Sequence, residues 1–372
     1  MNISSPAGVE KKVFHLPGLN GLRAIAASVV LYVHTAQFSD YLFGLPSIAL
    51  FRDGTADYSV VLFFTLSGYL ITYLLLREKT VFGEIKFKDF YVRRILRIWP
   101  VYYITIFATA LIILFLPAYL PHQHVAKTFL FYSFFLSNVG YAFGFQFYTL
   151  TPLWSVGAEE QFYLFWPLLV DKSKKIIRSL IVFISCFLLI KTGLRFFENS
   201  TYYQLISGSA FDAMAIGGIG ACIVFNKKTY LKYIYSLAAQ RIAWAFFLYS
   251  IFVRPIQIAS LFDKEIHAIV FAIIIINVST GKNPIIRLEN KIFNFLGKMS
   301  YGIYVYHMTI IFLLGLFFNK MNIHLKPGIF SASVIYVSIS VSTLAVSTFS
   351  YFYFEKYFLK MKERFQKIKT VS

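Results

Sequence analysis

The stretch KTFLFYSFFLSNVG, residues 127–140, decides how this chain is threaded. It is apolar and aromatic, yet shorter than the roughly 20 residues that a helix needs to cross a bilayer core of about 30 Å. Two strongly basic segments flank it in sequence. One holds Arg77, Lys79, Lys86, Lys88, Arg93, Arg94 and Arg97, and the other Lys172, Lys174, Lys175 and Arg178. Short basic loops stay on the cytoplasmic side, so an even number of crossings must separate them. The apolar runs 99–118 and 154–170 supply two crossings. Residues 127–140 are therefore expected to be re-entrant or to lie against the outer face.

Working outward, further apolar runs lie near 19–38, 58–77, 176–194, 209–225, 237–257, 265–280, 299–318 and 329–354. The expectation is an all-α polytopic membrane protein with about ten transmembrane helices and both termini cytoplasmic. It is read as a single integral-membrane domain over residues 1–372, with a core at 19–358 and short basic ends. The N-terminal MNISSPAGVEKKVFH lacks an early apolar core with a small-residue cleavage site, so the first run is read as an uncleaved span. No internal repeat is evident, which weakens a transporter built from inverted halves.

Composition agrees. Of 372 residues, 58% are hydrophobic and 14% charged, where soluble domains are nearer a quarter charged. The net charge of +19 could suggest nucleic acid. On the expected topology, however, 28 of the 36 Lys and Arg residues fall on the inner side, and this asymmetry accounts for the charge without a nucleic-acid partner. Cys186 and Cys222 both fall in apolar runs and are read as buried thiols. No spacing suggests a metal site.

Polar groups inside the apolar runs carry the functional signal, because each is costly in hydrocarbon. In LRAIAASVVLYVH, residues 22–34, Arg23 and His34 share one helix face and lie roughly 16 Å apart along the axis. FFTLSGYLIT places Ser67 and Gly68 near mid-membrane, a small-residue surface that lets a helix or ligand approach closely. Arg93, Arg94 and Arg97 form a cationic group before Pro100, which suits the first turn of the next helix. They can anchor anionic lipid or clamp a phosphorylated ligand.

In PLWSVGAEEQFYLFWPLL, Ser155, Glu159 and Tyr163 fall on one stripe, beside Trp154, while Glu160 shares its stripe with Val156 and Leu164. Glu159 is thus the expected cavity-facing carboxylate. In GKMSYGIYVYHMTII, Ser300, Tyr304 and His307 share a face, with His307 expected near mid-depth. Histidine can take a proton from a hydroxyl, and a carboxylate can support the imidazolium. The same residue types also make proton relays, so proton-coupled transport is the rival reading.

These motifs, in this order, resemble the acyltransferase-3 family of membrane-bound O-acyltransferases. The resemblance runs from LNGLRAIAA at 19–27 to YFEKYF at 353–358, through FFTLSGYLIT, RRILRIWPVYY, LWSVGAEEQFYLFWPL and LGKMSYGIYVYH. It implies transfer of an acyl group, usually acetyl, from cytoplasmic acyl-coenzyme A to a hydroxyl of a surface polysaccharide, lipopolysaccharide or related glycan. It implies no bound cofactor, with acetyl-coenzyme A as co-substrate, and a multi-pass place in the bacterial inner membrane. Arg23 and His34 match the core of the active site, and Arg93, Arg94 and Arg97 match a basic motif near the coenzyme A phosphates. Glu159 matches the first glutamate of a Trp-Ser…Glu-Glu motif.

The chain departs from the pattern at SAFDAMAIGG, with Ala210 where arginine is common, and at Tyr357 in place of proline. No esterase-like domain is appended, so a partner for export is expected to be a separate chain. The expected mechanism is direct transfer. His34 acts as base, Glu159 supports it, and Arg23 with the arginine cluster holds the donor. A relay through Ser67 or Ser300 is the variant. An exporter of an acylated or anionic glycan, or an enzyme using succinyl or longer donors, remains the alternative.

Overall fold

The computed structural model describes residues 14–48, 50–51, 54–117, 124–196, 200–227, 229–254, 256, 262–323, 325–366 and 370–371. The basic stretch before Phe14 lies outside them. The fold is all-α apart from a two-residue pairing of β1 (Phe14–His15) with β2 (Thr370–Val371). That parallel pairing joins the two described ends on one face of the molecule.

Each of the ten apolar runs coincides with a helix. The first half contributes α1 (Leu19–Phe43), α2 (Thr55–Phe82) and α3 (Phe87–Phe115), then α6 (Leu153–Lys172) and α7 (Ile176–Arg195). The second half contributes α9 (Phe211–Phe225), α11 (Leu237–Phe252), α12 (Asp263–Thr280), α13 (Lys291–Lys320) and α14 (Ile329–Ser350). The short helices α8 (Thr201–Ser209) and α10 (Leu231–Ile234) precede α9 and α11. A π-helical turn at Tyr351–Glu355 leads into α15 (Lys356–Glu363). Among the described residues, six helical segments are long and apolar enough to cross a membrane by length and composition: α2, α3, α7, Thr201–Phe225, α13 and Ile329–Glu363. The protein is a polytopic helical membrane protein.

Residues 127–140 do not form one helix. They are divided between α4 (Val125–Ser133) and α5 (Ser137–Ala142), with a break where Phe135 adopts a φ of 56°. Helices of nine and six residues rise no more than about 14 Å, under half the hydrocarbon thickness. The carbonyl freed at the break accepts from Gln161 Nε2 at 2.9 Å, and Ser137 Oγ donates to the Leu153 carbonyl at 2.6 Å. The broken segment is thus pinned to the start of α6.

Helix limits follow local chemistry. Gly44, with φ 62°, closes α1 by donating its N–H to the Asp40 carbonyl. Ser236 caps α11 and Asn290 caps α13, each side chain accepting a backbone N–H of the first turn. Pro100 overturns the expected boundary. It lies inside α3, which starts at Phe87, so the arginines and the following apolar run share one continuous helix. A proline removes one N–H and crowds one carbonyl, and a long helix tolerates that within a membrane bundle.

The interior is built by close helix contact. A methyl added at Gly68 of α2 would overlap the Met214 carbonyl of α9, so these two backbones touch. Gly297 of α13 sits likewise against the Asn20 carbonyl of α1. The periphery is apolar and exposed, with Leu189 on α7 at 73% and Phe330 on α14 at 83%, as a lipid-facing surface requires. Cys186 lies on such an exposed face of α7, and only Cys222 is buried. The reading of both thiols as buried is thereby corrected: α7 is peripheral and packs on one side only.

Candidate active site

Five helices surround an internal cavity of about 90 Å³. α1 contributes Arg23, α2 contributes Ser67, and α3 contributes Arg94 and Arg97. Ser155, Glu159 and Tyr163 enter from α6, and Ser300, Tyr301 and Tyr304 from α13. The stripe Ser155–Glu159–Tyr163 therefore faces the cavity as a unit. Glu160 turns away, accepting from Trp99 Nε1 at 3.0 Å.

Arg94 and Arg97 stand three residues apart on one face of α3. Arg93 is turned by about 100° from Arg94, lying on the other side of Arg97. Its guanidinium binds Glu78 Oε2 at 2.9 Å and the Phe365 carbonyl at 2.8 Å, outside the cavity lining. Arg94 sits over the rings of Tyr163 and Phe90, 5.4 and 5.6 Å from their centroids. Its Nε is buried without a hydrogen-bond partner. Arg23, Arg94 and Arg97 interact electrostatically with one another and with Glu159 or Tyr163. Among the described residues, none of the three has a carboxylate within ion-pair distance. Guanidiniums without a carboxylate partner around a buried space have the chemistry to hold an anion.

The Glu159 carboxylate accepts a hydrogen bond from the Tyr163 hydroxyl, which also contacts Ser67 Oγ. Ser155 Oγ and the Tyr304 hydroxyl meet at 2.7 Å. The Tyr301 hydroxyl donates to the Ile98 carbonyl at 2.9 Å, and Ser300 donates to the Gly297 carbonyl at 2.7 Å. Trp154 lies off the cavity, edge-on to Phe64 at 6.2 Å.

One turn beyond Tyr304, His307 is fully buried and meets His34. Nδ1 of His34 lies 2.7 Å from Nε2 of His307, with the two rings parallel. His307 Nδ1 lies 2.6 Å from the Tyr304 carbonyl, where only an N–H can bond. In a neutral ring Nε2 is then the acceptor, so His34 donates from Nδ1 and its own Nε2 keeps a free lone pair. Both histidines stand out in the sequence, but nothing there signals that they touch.

A second cavity of about 240 Å³ lies on the far side of this pair, lined by Phe38, Tyr41, Tyr148, Met308 and Phe312 among others. Phe38 is one turn past His34, and Met308 follows His307. The histidine pair, which lines neither cavity, thus falls between the cationic cavity and the aromatic one along α1 and α13. Among the described residues, no group of three or more His, Cys, Asp or Glu could hold a metal ion.

Asp212 belongs to a different cluster. Lys191 Nζ binds Glu265 Oε1 at 2.7 Å, with both side chains buried, and Asp212 and Glu265 contact each other.

Fold and site together define a membrane-embedded protein with a buried cationic cavity and, further along α1 and α13, a hydrogen-bonded pair of histidines. The chain belongs to the acyltransferase-3 family: the family described as "Acyltransferase domain" matches residues 16–352. It is similar to the peptidoglycan O-acetyltransferase OatA of Listeria monocytogenes, 28% identical over 324 residues, covering 80% of this chain and 49% of the relative. A putative peptidoglycan O-acetyltransferase, YrhL, of Bacillus subtilis is 33% identical over 174 residues, covering 44% of this chain and 25% of that protein. A putative O-acetyltransferase of Staphylococcus aureus strain COL is 34% identical over 166 residues, covering 43% and 25%. The chain thus spans between a quarter and a half of the length of these relatives. No solved structure matches it.

Proposed function

We propose that this protein transfers an acetyl group from acetyl-coenzyme A to a hydroxyl of a cell-surface glycan. The observation that carries the reading is the line from three unpaired guanidiniums to the free Nε2 of His34. Arg23, Arg94 and Arg97 hold donor phosphates at the inner end. The roughly 16 Å rise from Arg23 to His34 suits an extended pantetheine arm that carries the thioester inward. The acceptor hydroxyl approaches from the outer cavity. His34 Nε2 takes its proton as the oxygen attacks the thioester carbonyl. The new ester forms, the carbon–sulfur bond breaks, and the proton passes to the departing thiolate. Holding both substrates in line accounts for most of the rate gain.

His307 supports the imidazolium that forms on His34, because its Nε2 accepts from His34 Nδ1. Glu159, held by Tyr163, balances charge among the arginines. That is a different place from the direct support of His34 expected from sequence. For the acceptor we favour peptidoglycan over lipopolysaccharide, since two relatives carry that substrate in their names. The cytoplasmic membrane of a bacterium, with the arginine end inward, is the location this scheme requires.

The test uses purified protein in vesicles loaded with labelled acetyl-coenzyme A and offered peptidoglycan fragments. Mass spectrometry should find a new acetyl ester with wild type and none with His34→Ala at equal protein level. Movement of glycan without a new ester would instead establish an exporter.

A further inference from the structure

The surroundings of Lys362 are unusual for a lysine. It lies on α15, which packs against α3, and it is partly buried there. Its ammonium interacts electrostatically with Arg97, Arg94 and Arg23, the three cations of the inner cavity, and with the adjacent Glu363. Among the described residues, no carboxylate lies within ion-pair distance of Lys362. Like charges brought together away from bulk water repel, and a flexible lysine can normally swing into solvent to escape.

The tail is held so that Lys362 stays. Arg93 fastens it by donating to the Phe365 carbonyl at 2.8 Å. Arg93 is itself fixed by Glu78, whose other oxygen accepts from the Lys86 backbone N–H at 3.1 Å. Further on, Thr370–Val371 pairs with Phe14–His15.

We propose that Lys362 is a fourth donor-binding cation, delivered by the C-terminal tail to a phosphate at the nucleotide end of acyl-coenzyme A. This rests on the acyl-coenzyme A reading given above. Arg93, grouped in the sequence with Arg94 and Arg97, then plays a different part, positioning the tail without touching the donor. A multiply charged phosphate end resolves the charge imbalance that the protein alone leaves at this mouth.

The test compares wild type, Lys362→Gln and Lys362→Arg as full chains in nanodiscs. Calorimetry with 3′,5′-ADP reads the nucleotide site without any turnover. Lys362→Gln should weaken 3′,5′-ADP by about tenfold or more, and Lys362→Arg should restore most of it. In kinetics, Lys362→Gln should raise KM for acetyl-coenzyme A with kcat unchanged, and leave S-acetyl-pantetheine, which lacks phosphates, unaffected. Unchanged 3′,5′-ADP affinity, or an equal loss with both donors, overturns the proposal. If wild type binds 3′,5′-ADP but transfers acetyl from neither donor, the acyl-transfer reading fails, and the binding comparison still decides the role of Lys362.

Discussion

Nδ1 of His34 and Nε2 of His307 lie 2.7 Å apart, and His307 is anchored in turn to the Tyr304 carbonyl. Two helices far apart in sequence thus join two imidazoles in one hydrogen-bonded chain, with the tautomer set when both rings are neutral. Loss of the first member should be severe. His34→Ala should reduce kcat by roughly 10²–10⁴, the usual range for a general base, with normal membrane levels on immunoblot.

His307→Gln should be milder. A glutamine oxygen can still accept from His34 Nδ1, but it is not fixed by the Tyr304 carbonyl. We expect kcat to fall by about tenfold with KM for acetyl-coenzyme A kept. His307→Leu should fall close to His34→Ala in the same steady-state assay.

The adjacent glutamates should separate cleanly. Glu159→Gln removes the negative charge among Arg23, Arg94 and Arg97 and should lower activity markedly. Glu160→Gln keeps an acceptor for Trp99 Nε1 and should leave donor KM within about twofold. Side-by-side kinetics on the two variants decides it.

Gly68→Ala should destabilise the bundle without touching a substrate. The added methyl meets the Met214 carbonyl, and neither backbone can retreat without moving its helix. A cost of about 1–3 kcal/mol is expected, read as a lower unfolding temperature in detergent.

Lys191→Met should cost more, about 3–5 kcal/mol, because it leaves the Glu265 and Asp212 carboxyls buried without their cation. Replacing Lys191 and Glu265 together by apolar residues should recover much of that loss in the same melting assay.

The helices are legible in the sequence because each apolar run is long and the loops between them are basic. Glu159 and Glu160 are distinguishable there too, since neighbouring positions on a helix point about 100° apart. The arginine cluster is harder. Proline normally marks a helix start, so Arg93, Arg94 and Arg97 read as one group before a boundary. Once α3 is seen to run through Pro100, Arg93 lies about 100° from Arg94 but only about 40° from Arg97. Helix geometry therefore does not separate it; its bonds to Glu78 and the Phe365 carbonyl do. Contacts between remote segments carry no local signal. Nothing near His34 points to His307, and Lys362 looks like one more inner-face charge in a basic tail.

Two of the places where helix backbones touch set limits on how the inner cavity can widen. α2 is fitted to α9 at Gly68, and α1 to α13 at Gly297, without side chains between them that could change rotamer. Within each pair, one helix cannot approach the other more closely without a backbone shift. The remaining cavity walls, α3 and α6, each carry an interior proline, Pro100 and Pro167. The segment that carries Lys362 packs on α3, so any shift of that wall would carry the lysine with it.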